Sequence, residues 1–172
     1  MDTEALGIPL TQKEQYRLLL HDCYEHASTS NHPSTHNAAL LVRDGTVVLR
    51  GVNRLPPGVR ALPERFEGEN KHKYPNHAER DAIYGAARKG IQTESLTMVM
   101  PWLPCIPCAN AIITAGIRTL IVHKQMMEKT NDRWKEELAA AVGILQEAGI
   151  SIFAYDGTVG KKSYMHDQWW DA

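Results

Sequence analysis

The chain has 172 residues, of which 43% are apolar and 23% charged, and a formal charge of -1. That length suits one folded domain with its own core, and the near-neutral charge leaves no basic field to hold a nucleic-acid polymer. Cys23, Cys105 and Cys108 are too few and too odd in number for a disulfide framework, and MDTEALGIPL has acids where a signal peptide has basic residues, so a reduced, cytoplasmic setting is expected.

TQKE at Thr11–Glu14 reads as a capping box ahead of Tyr16, Leu19 and Leu20, which predicts a first helix running to about Ala27. The polar loop STSNHPSTHN follows. AALLV (38–42) and VVL (47–49) flank Asp44-Gly45, the pairing that predicts an antiparallel hairpin. Residues 54–76 run irregularly through prolines 56, 57, 63 and 75, and a loop of that length in a compact domain is usually functional or disordered. From Asn76 helix and strand alternate: helix 76–88, strand 96–100, helix from Cys105, strand 120–123, helix 131–148, strand 151–155. Gly90, Gly116 and Gly149 stand at the helix stops. The apolar stretch 96–122 carries Pro101, Pro104, Pro107, Asn110 and Arg118, so it reads as buried strand, turn, helix and strand rather than a membrane span. The whole is predicted as one α/β domain over 1–172, a three-layer α/β/α arrangement on a central mixed sheet of about five strands.

Two short motifs carry the chemistry. Cys105 and Cys108 are three apart at a helix start, which puts both sulfurs on one face where the helix N-terminus favours thiolate. His77 opens another helix. One histidine and two cysteines leave a tetrahedral zinc one position short, and catalytic sites give that position to water. At about 100° per residue, Glu79 lies roughly 200° round from His77, off the ligand stripe and placed to exchange a proton with that water. Singly, these residues also read as a redox pair, a surface histidine and a dipole-complementing glutamate. In this order they match H-x-E…P-C-x-x-C, the zinc-deaminase signature.

With HAE (77–79) and PCIPC (104–108), the sequence resembles the cytidine and deoxycytidylate deaminase superfamily. GVNRLPPGV (51–59) is similar to the GYNGxPxG stretch of deoxycytidylate deaminases, KYPNHAERDAI (73–83) to KYxxxHAExNAI, and CANAIITAGI (108–117) to CAxxIIQxGI. The likeness spans roughly 38–122 and favours the nucleotide branch over free nucleosides. It implies the cytidine deaminase-like fold, zinc held by His77, Cys105 and Cys108, and Glu79 as proton shuttle. It also implies Asn53 against the sugar and the Ala78 backbone against the base. The reaction implied is hydrolysis at C4 of cytosine, most directly dCMP to dUMP and ammonia, in a homo-oligomer. Two other readings stand beside it: a deaminase of another amino-heterocycle (nucleoside, free base or antibiotic), and a non-catalytic zinc-binding module, against which Glu79 speaks.

The sequence departs from the family at Val52, Arg54 and Asp81, where the pattern has tyrosine, glycine and asparagine. The family uses the glycine-containing loop in regulation by deoxynucleoside triphosphates. Residues 54–76 carry five basic groups against three acidic ones, a local excess from which Arg65 and Lys73 are expected to hold the phosphate. Trp102 is expected to line the base pocket. Tyr84 and Arg88 share a helix face near the family's subunit contact, with core packing the simpler expectation for Tyr84. Trp169 and Trp170 suit a subunit contact or a lid. Cys23 reads as a buried thiol, with a second zinc shared with His26 and His32, His36 or His72 as the weaker alternative.

Overall fold

The computed structural model describes residues 1–172. Leu10 and Thr11 pair in parallel with Ala154 and Tyr155 and form the short strand β1, which the sequence reading missed. That pairing takes Thr11 away from the helix. The first helix, α1 (Glu14–Ala27), starts beyond it with Lys13 at the N-cap and no side-chain cap, and Thr11 only accepts a 3.4 Å bond from the Lys13 amide. The expected capping box is therefore not formed.

β2 (Ala38–Arg43) and β3 (Thr46–Val52) make the hairpin, with Asp44 and Gly45 at φ 50° and 78°, the left-handed values a two-residue turn requires. The segment 54–76 contains a 3-10 turn at Pro63–Arg65 and one short helix, α2 (Asn70–Lys73). Next come α3 (Ala78–Lys89), β4 (Thr97–Val99), α4 (Ile106–Thr114) and β5 (Thr119–His123). They are followed by α5 (Lys124–Met127), α6 (Asp132–Glu147) and β6 (Ser151–Tyr155). A separate C-terminal hairpin, β7 (Lys162–Met165) and β8 (Gln168–Asp171), closes the chain.

The main sheet has six strands in the order β1-β6-β5-β4-β2-β3. It exceeds the expected five by β1. β2 runs antiparallel to both neighbours while β4, β5, β6 and β1 are mutually parallel, so the sheet is mixed. Side chains alternate between two cores: Leu120 and Val122 of β5 enter one, Ile121 the other. An apolar run without polar breaks is what a strand covered on both faces demands. One core lies under α3, α4 and α6, and the other under α1, α5 and part of the C-terminal hairpin. Each fully buried aliphatic side chain contributes about 1.5–3 kcal/mol.

Packing of α3 on β3 sets the position of the HAE motif. Gly51 has no room for a side chain, because a Cβ there would strike the Ala78 carbonyl and the Ala82 amide. Only glycine lets the helix come this close. Two departures from the family pattern meet at the same place. Asp81, buried in α3, accepts from the Val52 amide at 3.1 Å and from Arg54 Nε at 2.9 Å, while Arg54 and Asn76 exchange both backbone bonds at 3.2 and 2.8 Å. Asp81 thus serves the end of β3, and an acid at that position has a local partner. Replacing Asp81 with alanine is expected to destabilise the fold by about 1–3 kcal/mol, because the buried Val52 amide loses its acceptor. Arg54→Gly should cost less, given its half-exposed side chain, and a double-mutant cycle by urea denaturation should return a coupling of about 0.5–1 kcal/mol.

Tyr84 is 51% exposed on α3, so the core role expected for it is not found. Cys23 is fully buried, its thiol donating to the Ala38 carbonyl at 3.3 Å. No helix is long and apolar enough to cross a membrane.

Candidate metal and active site

His77 and Cys105 are both N-caps. His77 precedes α3 with extended φ/ψ of -67°/155°, and Cys105 precedes α4 with -69°/167°. Their carbonyls start the two helices, accepting from Asp81 and Ala109 at 2.9 Å each. The strands leading into the site, β3 and β4, are parallel to one another but separated by the antiparallel β2. Since His77 lies outside the helix, the angular separation assumed for Glu79 does not apply. Glu79 instead occupies the first turn of α3.

His77 Nδ1 lies 3.4 Å from Cys105 Sγ and 3.6 Å from Cys108 Sγ. A tetrahedron with Zn–S near 2.3 Å and Zn–N near 2.0 Å has an S···N edge of about 3.5 Å, so this donor set fits zinc. No other group of three histidine, cysteine or acidic side chains gathers in this way, and Cys23 with His26 does not. Cys105 is held down to about 4 by the hydrogen bond from the Cys108 thiol, against burial and with help from His77. That same bond, then burial, lifts Cys108 well above the usual thiol range. Burial pushes the His77 imidazole down, but Cys105 and Glu79 outweigh it and leave His77 raised. A bound dication favours thiolate at both sulfurs.

Glu79 is only 3% exposed, and its Oε2 has no hydrogen-bond partner in the protein. Burial raises its carboxyl above the ordinary value, with the His77 charge opposing. Such an oxygen is costly unless something beyond the chain engages it. It lines a cavity of about 330 Å³ together with His77, Cys105, Asn53 and Trp102.

Asn53 sits at the end of β3, its Oδ1 accepting from the Ala78 amide at 2.9 Å and its Nδ2 donating to the Thr35 carbonyl at 3.4 Å. The Ala78 amide is thereby engaged within the protein, and Ala78 is fully buried rather than part of the cavity wall. Neither Arg65 nor Lys73 lines the cavity. Arg65 donates to the Arg60 carbonyl at 2.6 Å and lies over the Tyr74 ring, and Lys73 is exposed. The basic groups that do reach the wall are Lys71 and His72, from the same segment, and Arg133 from α6. In a helix turn of about 100° per residue, Lys71 and Lys73 diverge by roughly 200°, so α2 turns one in and the other out.

His32, named in the sequence only as a weak candidate for a second zinc, lines this cavity instead, as does Asn37, which no motif marks. His32 Nδ1 accepts from the Ser34 and Thr35 amides at 3.3 and 3.2 Å, so its Nε2–H donates to the Lys71 carbonyl at 3.0 Å and ties the loop before β2 to α2. Trp102 is 4% exposed, with its Nε1 unpartnered.

The model of the cytidine and deoxycytidylate deaminase zinc-binding region matches residues 13–124. An uncharacterized deaminase in the luxG 3′ region of Aliivibrio fischeri is 30% identical over 125 residues, covering 73% of this chain and 82% of that protein. The deoxycytidylate deaminase of Mus musculus is 34% identical over 133 residues, covering 73% of this chain and 71% of its own. The crystal structure of the dCMP deaminase from cyanophage S-TIM5 in complex with dCMP and dUMP superposes with a TM-score of 0.64 over 85% of this chain and 100% of that one. The identity is 16%, a likeness of fold.

Proposed function

The chain belongs to the cytidine and deoxycytidylate deaminase family, and on that premise we propose that it hydrolyses the 4-amino group of dCMP, giving dUMP and ammonia. The observation that carries this reading is the unpartnered, buried Glu79 carboxylate beside the His77, Cys105 and Cys108 donor set. Zinc, when bound by those three residues, supplies the Lewis acidity that makes water nucleophilic near neutral pH. Glu79 takes the proton that water gives up and passes it to ring N3, then takes the remaining proton from the hydroxyl added at C4 and delivers it to the amine as the C4–N bond breaks and the C4 carbonyl forms. Burial suits it to the task, because a carboxyl raised by desolvation holds a proton at a pH where an exposed one has lost it. Asn53 fixes the first turn of α3 through the Ala78 amide and so fixes the direction of Glu79, and as a residue of the cavity lining it is assigned to the sugar in this reading. Trp102 forms the apolar wall for the base.

The phosphate belongs with Lys71 and Arg133 in this reading, and not with Arg65 and Lys73. Lys71 from α2 and Arg133 from α6 both line the cavity, and the N-terminus of α6, capped by the Asn131 side chain, adds its dipole. Lys71→Ala and Arg133→Ala are each expected to raise KM for dCMP about tenfold, and KM for deoxycytidine by much less. Steady-state kinetics on both substrates checks this, and equal effects would remove the assignment. All of 1–172 acts as one deaminase domain in this proposal, in a cytoplasmic homo-oligomer; three unpaired cysteines suit a reducing compartment and exposed Tyr84 suits a subunit contact. Light scattering on the purified chain tests the assembly.

The test of the reaction is ammonia release by the zinc-loaded protein from dCMP, CMP, deoxycytidine and cytosine, with Glu79→Ala as blank. Turnover of dCMP above the other three supports the proposal. Turnover of none, with zinc bound, overturns it.

A further inference from the structure

The hairpin β7–β8 lies beyond residues 13–124, to which the family's model extends, yet its turn shares a cavity wall with Glu79 and His77. The residues it brings are Met165, His166 and Asp167. The hairpin is tied to the loop before β2. The His36 amide donates to the Tyr164 carbonyl at 2.8 Å, the Asp167 amide to the Ser34 carbonyl at 3.1 Å, and Thr35 bridges Met165. His166 and Asp167 hold φ of 56° and 60°, values at which a two-residue turn ordinarily takes asparagine and glycine. The chain therefore keeps a strained turn at the edge of its site.

Two buried nitrogens in that wall have no partner in the protein, His166 Nε2 and Trp102 Nε1. Their rings meet edge to face, with centroids 6.5 Å apart. An indole N–H only donates, so what satisfies it is an acceptor. Burial first, then the Arg133 charge, hold the His166 imidazole below its usual value, which leaves it neutral with one nitrogen able to donate. Lys71, His72 and Arg133 share this cavity and favour an anionic acceptor.

We propose that His166, carried into the cavity by the C-terminal hairpin, is a specificity residue that hydrogen-bonds the phosphate of the nucleotide substrate. This rests on the nucleotide reading above and extends it to a segment outside the family's matched region. The hairpin supplies one wall and His166 supplies discrimination between a nucleotide and its nucleoside.

The experiment is calorimetric binding of dUMP and deoxyuridine to the zinc-loaded full chain, unaltered and as His166→Gly and His166→Asn. Glycine and asparagine both tolerate left-handed φ, so each variant keeps the turn, and thermal melting checks that Tm stays within about 3 °C. The expected result is a ratio of dUMP to deoxyuridine affinity reduced about tenfold in His166→Gly, the worth of one hydrogen bond to a charged group. The same variant should raise KM for dCMP about tenfold and change kcat less than about twofold. Equal weakening of both ligands, an unmoved ratio, or a fall in Tm without a change in ratio overturns the proposal. If the unaltered chain turns over dCMP while the ratio is unmoved, only the role of His166 falls. If it neither binds dUMP nor turns over dCMP, the nucleotide reading fails and this proposal with it.

Discussion

Replacing Glu79 with alanine is expected to lower dCMP turnover by about 10²–10⁴-fold, the range general acid–base groups contribute, while zinc remains bound. The expectation rests on position. Glu79 is buried in the first turn of α3, one residue from Ala78, whose amide is pinned by Asn53, and its Oε2 has no partner in the chain. An isolated buried carboxylate is a burden on the fold, so its removal should leave stability unchanged or improved while chemistry is lost. Glu79→Gln keeps the size and one acceptor but cannot carry the proton, and should be nearly as inactive as alanine. Zinc content by atomic absorption, Tm and turnover measured together separate the possibilities. Residual turnover above one tenth of the unaltered rate would show that another group moves the proton. Loss of zinc in Glu79→Gln would make the residue a ligand and not a shuttle.

Replacing Cys108 with alanine is expected to abolish both zinc retention and turnover. Cys108 is fully buried in α4, with its sulfur 3.6 Å from His77 Nδ1, and its loss leaves two donors where three converge. Removing a group that merely orients a ligand costs about 10–100-fold in metal affinity, and removing a ligand itself should cost more. Folding should follow the metal. A cation at about 1,000 times its dissociation constant stabilises the folded state by about 4 kcal/mol, so chelation of the unaltered protein should lower its Tm, whereas Cys108→Ala should melt at the same temperature with or without chelator. Dialysis against chelator, followed by metal analysis and thermal melting, provides the readout. A variant that keeps one zinc per chain would show the metal to be held elsewhere.

The parts of the fold legible in the sequence are those set by neighbours along the chain. Asp44-Gly45 sits in the turn that only left-handed residues accept, and Ser151–Tyr155 forms its strand at the residues read from its apolar run. The HAE and PCIPC motifs carry their meaning in spacing, because an N-cap and the first turn of a helix hold ligand atoms on a rigid frame. β1 was not legible, since two residues show no period, and its existence depends on β6 at the far end of the chain. The Arg54–Asp81 pair joins residues 27 apart and turns two separate departures from the family into one contact.

The chemistry proposed for this protein, three zinc donors and one proton carrier, is written in two short motifs whose internal geometry is local, while His77 and Cys105, 28 residues apart, meet only through packing of the folded chain. What surrounds that chemistry depends on long-range packing. Lys71 faces the cavity and Lys73 does not because α2 is docked through His32, Arg133 arrives from α6, and His166 arrives from a hairpin bonded to residues 34–36. No local pattern encodes those meetings, since each is decided by which backbone groups pair across the folded chain and which side chains are then left facing the same space.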